Sequence, residues 1–199
     1  MGFLVKLVAI QNDLYSMKET IANRRSIFPV QFSGAEVHKE EISELLRAAN
    51  WAPTHRKTEP WRFKVLQGTK KASFEPFIAN LYTKNAAKAS TTKRNKIVEK
   101  VQQSAAILLI CMQRDFEKSV PEWEEIAATA MAVQNLWLKA TEIGLGGYWS
   151  SPSYCDQMDE FIPFETGEVC LGIFYLGRFE GPFPQRIPGD WEDKVQWYE

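Results

Sequence analysis

The chain has 199 residues, 45% of them hydrophobic and 25% charged, a composition that supports one globular core and excludes a disordered or fibrous protein. Lys+Arg 24 against Asp+Glu 25 gives a formal net charge of -1, so no basic field draws the chain to nucleic acid or to an anionic membrane. Aromatic residues reach 13%, with seven tryptophans, a stock of flat side chains to be buried, paired at an interface or stacked on a planar ligand.

In chain order, Gly2 to Ile10 is apolar but too short to span a bilayer, is interrupted by Lys6 and lacks the basic stretch that precedes a secretory signal. Met1-Gly2 suggests N-myristoylation, yet Lys6 stands where that motif takes Ser or Thr. Residues 1–16 read as an N-terminal arm or a start-codon artefact, and 17–199 as one domain in a reducing cytoplasm. Ser16 with Glu19 forms a capping box that opens a helix near Met17. Pro29 points to an extended stretch from Phe28 to Ser33. Ile42, Leu45, Leu46 and Ala49 fall on one face of a second helix that Pro53 closes, with His38 a poor cap at its start.

Trp61 to Leu66 alternates as a strand with one covered face. Lys70 to Gln103 is helical in propensity, with Phe74, Phe77, Ile78 and Leu81 as a first apolar stripe and a Lys-rich second portion that would form a lid near 80–103. Ala105 to Met112 reads as a strand buried on both faces. Pro121 suits the first position of a long Ala-rich helix that ends at Gly144. A strand beginning near Tyr148-Trp149, a short helix from Ser153 to Phe161, a last strand from Val169 to Leu176 and a C-terminal extension near 180–199 complete an α+β order.

Several familiar devices fail. Cys111, Cys155 and Cys170 are odd in number and widely spaced, so they read as three reduced thiols. His38 and His55 are the only histidines and lack H-x-x-x-H spacing, so no metal is expected. Gly144-Leu145-Gly146-Gly147 follows a helix where a dinucleotide fingerprint follows a strand, and reads as a helix cap leading into a tight turn. Gly68-Thr69-Lys70-Lys71 lacks the second glycine of a P-loop, and no G-x-S-x-G elbow occurs; Cys–His chemistry is left open by counting alone. Glu124, Glu125, Asp156, Asp159 and Glu160 are expected on solvated helix faces.

Other segments agree with one another. Arg24-Arg25-Ser26 offers two cations and a hydroxyl, the chemistry wanted by a phosphate and its polyol. The connection from Trp51 to Phe63 packs two prolines, two tryptophans and His55 between a helix and a strand. With Gln134-Asn135-Leu136 and the run Gly144 to Ser151, these motifs follow in an order that resembles the FMN-dependent nitroreductase family, above all its short members, from about Met17 to Phe179. The resemblance implies a three-layer α+β sandwich with a central, mostly antiparallel sheet, and an intertwined homodimer holding two FMN sites at the subunit interface, with the Ala-rich helix at that interface.

Carried over, Arg24, Arg25 and Ser26 would hold the FMN phosphate and ribityl chain; Pro53 and His55, from the partner subunit, would line the ring edge; Trp149, Ser150 and Ser151 would touch the cofactor. Arg178 resembles a phosphate contact of larger members, and Trp51 stands where short members can carry Arg, so it would stack instead. Because flavin N5 carries the hydride chemistry, no catalytic side chain is required. The implied activity passes reducing equivalents from NAD(P)H to a small planar acceptor, a nitroaromatic, quinone or enone, by ping-pong kinetics. Its competitors are an FMN store or sensor without turnover, another flavin reaction on the same scaffold, and a colourless Trp-rich interaction module.

Overall fold

The computed structural model describes residues 16–199, so the readings made of residues 1–15 fall outside the described residues. Helix α1 (Met17–Asn23) opens as its sequence requires: Glu19 N–H donates to Ser16 Oγ at 3.3 Å and Ser16 N–H to Glu19 Oε2 at 2.8 Å. Helix α2 (Lys39–Ala49) buries Ile42, Leu45 and Ala49. The His38 ring does not cap it; the Glu41 carboxylate accepts from the His38 N–H at 3.0 Å instead. Strand β1 (Trp61–Leu66), helices α3 (Gly68–Asn85) and α4 (Thr91–Gln103), strand β2 (Ala106–Gln113), helix α5 (Glu122–Glu142), strand β3 (Leu145–Ser150) and strand β4 (Glu168–Arg178) follow.

The four strands form one antiparallel sheet in the order β1-β2-β4-β3. β2 is buried almost throughout, because helices cover both faces of this central strand. On one face α2 and α5 pack through Leu45, Ala49, Ala132, Val133 and Leu136 onto Leu108, Ile110 and Phe174. On the other, α3 and α4 pack through Phe74, Ile78, Leu81 and Val101 onto Ile107, Leu109 and Ile173. The result is an α/β/α sandwich, and the small residues along α5 let it lie close to the sheet. Among the described residues no helix is long and apolar enough to cross a membrane.

Local readings differ from the structure in instructive ways. Phe28 to Ser33 holds a 3₁₀ turn over Pro29–Gln31, since the fixed φ of proline suits the first residue of a helical turn. Pro121 is the N-cap of α5, one position earlier than read. α2 stops at Ala49 with Asn50 as its cap, well before Pro53 acts. Cys155–Glu160 forms a 3₁₀ segment rather than a helix reaching Phe161.

Of the clustered glycines only Gly144 works as a helix terminator, at φ +74°, while Gly146 and Gly147 lie inside β3. A Cβ on Gly147 would fall 2.2 Å from the Phe174 ring, so the absence of a side chain there is a packing requirement. Glu125 also departs from the solvated face expected of it. It is 1% exposed, pairs with the Arg114 guanidinium and accepts from the Asp115 N–H at 2.9 Å, which ties the loop after β2 to the start of α5.

Candidate functional site

Arg24, Arg25 and Ser26 leave the end of α1 and run beside β3. Ser26 bridges Gly147 in parallel, and Ile27 N–H donates to the Gly147 carbonyl at 2.9 Å. This contact fixes the Ser26 hydroxyl, which is exposed, next to the strand that ends in Trp149 and Ser150. The Arg24 guanidinium lies 4.8 Å from the Trp137 ring centroid on α5, and Trp137 Nε1 donates to the Arg25 carbonyl at 3.1 Å. Arg25 Nε donates to the Pro184 carbonyl at 2.8 Å, folding the C-terminal extension back over the motif.

That return brings in Arg186. Burial, together with the charges of Arg25 and Arg186, holds the Arg24 guanidinium below its ordinary pKa. Among the described residues none of these three cations is paired with a carboxylate, although six Lys or Arg to carboxylate pairs occur elsewhere. Converging guanidinium groups without counter-charge, beside an exposed hydroxyl, have the donor set of an anion site. Trp137 and Arg186 were missed by sequence reading. Trp137 gave only a helical-face signal, and Arg186 lies in irregular chain.

The remaining candidates fall in three places. Trp149 pairs across the sheet with Phe174, and its Nε1 is buried with no hydrogen-bond partner, directly over the Gly172 backbone. Ser150 ends β3 and Ser151 is exposed beyond it. Arg178, at the other end of the β3–β4 pair opposite Leu145, is engaged by Glu41 at 2.9 and 3.0 Å and by the Glu36 carbonyl at 3.2 Å. Its charge is therefore balanced within the chain.

Trp51 is 86% exposed at the end of α2, with Pro53 and His55 exposed after it. His55 Nδ1 lies 2.6 Å from Glu124 Oε2 on the first turn of α5, a partner that sequence reading did not supply and that takes Glu124 too off the solvated face. Arg56, Lys57 and Glu59 all adopt positive φ, at 51°, 56° and 42°. Left-handed geometry in non-glycine residues is costly and collects where function over-determines the backbone.

Glu124 and Trp137 stand thirteen residues apart on α5, about 20 Å along a helix. Within one chain, therefore, the Pro53–His55 turn and the Arg24–Ser26 motif do not meet.

The chain is a member of a known class: residues 21–178 match the nitroreductase family, and the chain belongs to it. Among its relatives is the Bacillus subtilis protein YfhC, provisionally named an NAD(P)H nitroreductase, 34% identical over 181 residues that span 86% of each chain. Escherichia coli YdjA, similarly named, is 24% identical over 80% of this chain and 86% of its own length. A solved Bacillus cereus protein described as nitroreductase-like superposes with a TM-score of 0.78 at 26% identity, covering 93% of this chain and 97% of that one. A Desulfovibrio desulfuricans protein, provisionally named a nitroreductase and solved in complex with FMN, shares the fold, with a TM-score of 0.67 at 20% identity over 93% and 98% of the two chains.

Proposed function

We propose that this protein is a homodimeric FMN-dependent oxidoreductase that transfers reducing equivalents from NAD(P)H to a small planar acceptor, such as a nitroaromatic, quinone or enone, by a ping-pong mechanism. The observation that carries the reading is the cluster of Arg24, Arg25 and Arg186, which has no carboxylate partner among the described residues and is followed directly in the chain by the exposed Ser26. FMN presents a dianionic phosphate on a hydroxylated chain, and those side chains fit it. When bound, the flavin supplies the hydride-accepting and electron-donating centre.

The chain's own groups do the rest. Arg24 and Arg25 hold the phosphate by charge-assisted hydrogen bonds, and Ser26 accepts or donates at the ribityl hydroxyls. Trp149, Ser150 and Ser151 contribute the β3 side of the site, and Trp51, Pro53 and His55 reach it from the second chain. Glu124 fixes the orientation of His55. Arg178 stands as a lesser contributor, because Glu41 engages its guanidinium. The segment near 80–103 would close over the site as a lid, which in the single chain is α4 packed on α3.

Three features support two chains sharing each site. The Pro53–His55 turn and the Arg24 corner are separated along α5. The outer edge of β1 has no partner strand among the described residues, a surface that single chains usually protect. Ile187, Trp191, Trp197 and Tyr198 of the extension are exposed, as are Trp51, Trp123 and Met131, more large apolar surface than a monomer ordinarily shows. The expected compartment is the cytoplasm.

The test is a reductive titration of the purified protein with NADH and with NADPH, followed by addition of a quinone or a nitroaromatic. Bleaching of the flavin spectrum by a pyridine nucleotide, and its return with acceptor, is the expected result. A yellow protein that neither nucleotide reduces would instead be a flavin store, and a colourless monomer that takes up no FMN would remove the reading altogether.

A further inference from the structure

The three cysteines come from distant parts of the chain and meet in one place. Cys111 on β2 and Cys170 on β4 are direct cross-strand partners, and Cys155, at the start of the 3₁₀ segment, packs into the same buried cluster. Their meeting depends on an irregularity in the sheet. β4 carries one extra residue where Ile110 pairs with Gly172 and Cys111 with Cys170, so Leu171 is skipped. Without it Cys111 would oppose Leu171, and Cys170 would oppose Met112. Such bulges re-aim side chains and recur at functional sites.

The Cys111 and Cys155 thiols lie close enough to the Cys170 sulfur to bias its titration, and the Cys170 thiol donates to the Gly172 carbonyl at 3.4 Å. The two neighbouring thiols hold the Cys170 thiol below the ordinary thiol range against burial and the Glu168 charge, while Cys111 and Cys155 are pushed up by Cys170 and by burial. Cys170 alone of the three lines a cavity of about 410 Å³, walled by Asp156, Asp159, Phe164, Glu165 and Glu168. A small uncharged molecule enters such a space, whereas the acidic wall repels anionic disulfides and anionic alkylating agents. A metal fits less well, because among the described residues no group of three His, Cys, Asp or Glu side chains is arranged to hold one.

We propose that Cys170 is a peroxide-reactive thiol and Cys155 its resolving partner, forming an oxidation site for hydrogen peroxide or another small uncharged hydroperoxide. In the first step the Cys170 thiolate attacks one peroxide oxygen; the S–O bond forms, the O–O bond breaks, and hydroxide leaves, giving the sulfenic acid. In the second, the Cys155 sulfur displaces the sulfenic oxygen as water, the Cys155 proton leaving with it, and the disulfide forms. Two thiol groups lose two electrons in all, and the peroxide gains them.

Cys155 resolves rather than Cys111 because of what holds each. Cys111 is fully buried in a strand bonded to neighbours on both sides. Cys155 begins a short 3₁₀ segment that contains a non-helical residue, Gln157, so its backbone can close the remaining gap. The site is independent of any flavin reading.

The experiment treats the folded protein, as purified, with hydrogen peroxide, then unfolds it, blocks free thiols with N-ethylmaleimide and maps the peptides by mass spectrometry. The expected product carries maleimide on Cys111 alone and a Cys155–Cys170 cross-link that dithiothreitol reverses; oxidised glutathione in place of peroxide leaves all three thiols free. Cys155→Ser should abolish the cross-link and let Cys170 gain two oxygens as sulfinic acid, while Cys111→Ser should keep the cross-link. Maleimide on all three cysteines after peroxide would overturn the proposal, and a Cys111–Cys170 cross-link would overturn the assignment of Cys155.

Discussion

Replacing Arg24 with alanine separates a ligand-binding role from a structural one. In the free protein Arg24 has no carboxylate partner among the described residues, and it lies near Arg25 and Arg186, both of which oppose its charge. Among the described residues its favourable side-chain charge contact is the Trp137 ring at 4.8 Å, worth about 0.5–1 kcal/mol at a partly exposed site. Relief of repulsion offsets part of that loss, so the ligand-free variant should melt within about 4 °C of the parent. In the complex the same side chain faces a phosphate, where a hydrogen bond to a charged group contributes about 1.5–3 kcal/mol. Arg24→Ala should therefore weaken FMN binding by about 10- to 150-fold, measured by quenching of flavin fluorescence on titration. The lower end is favoured because Arg25 and Arg186 remain. Added salt should erode the parent's affinity more steeply than the variant's. Arg24→Lys keeps the charge but loses the planar fork, and should fall between the two. An FMN affinity within twofold of the parent would refute the phosphate assignment. So would a loss of affinity accompanied by an equal loss of stability in the free protein.

Three further outcomes follow from the same geometry. Glu125→Ala strands the Arg114 guanidinium, which is mostly buried, and should cost about 3 kcal/mol, lowering the thermal midpoint seen by circular dichroism by roughly 6–12 °C. A drop under 2 °C would mean that this pair does not anchor the loop. Gly147→Ala drives a Cβ to 2.2 Å from Phe174, which Trp137 boxes in edge-on at 5.2 Å; the expected cost is about 1–3 kcal/mol, largely recovered by adding Phe174→Leu. If the double variant is no more stable than the single one, the clash is not the cause. Mixed dimers of Arg24→Ala and His55→Ala chains should regain one parental FMN site per dimer, read as half-stoichiometric high-affinity binding; titration showing only weakened sites would place both residues in one chain's site.

The elements were legible wherever one local rule dominated. The Ser16–Glu19 box, the 3.6-residue spacing of Ile42, Leu45 and Ala49, and the unbroken apolar run of β2 each have a single reading. Glu125 was misread because a carboxylate beside Glu124 on a polar helix start has no local mark of burial. Its partner Arg114 is on another element, and only packing brings the two together. The glycines of β3 were misread for a related reason: the Phe174 ring that excludes a side chain at Gly147 is 27 residues away in sequence, and Ile27 and Phe32, which crowd Gly146, are more than a hundred residues away.

The amino-acid order alone determined the α+β class, the capped helices and strands, and the motifs that mark the nitroreductase family, because these depend on neighbours within a turn or two. Tertiary structure decided which groups face one another. It brought Ser26 against Gly147, folded Arg186 back toward Arg24, held His55 on Glu124 at a distance from that corner, and used one extra residue in β4 to turn Cys170 toward Cys111. Side-chain chemistry acts over a few ångströms, and separation along the chain does not report separation in space.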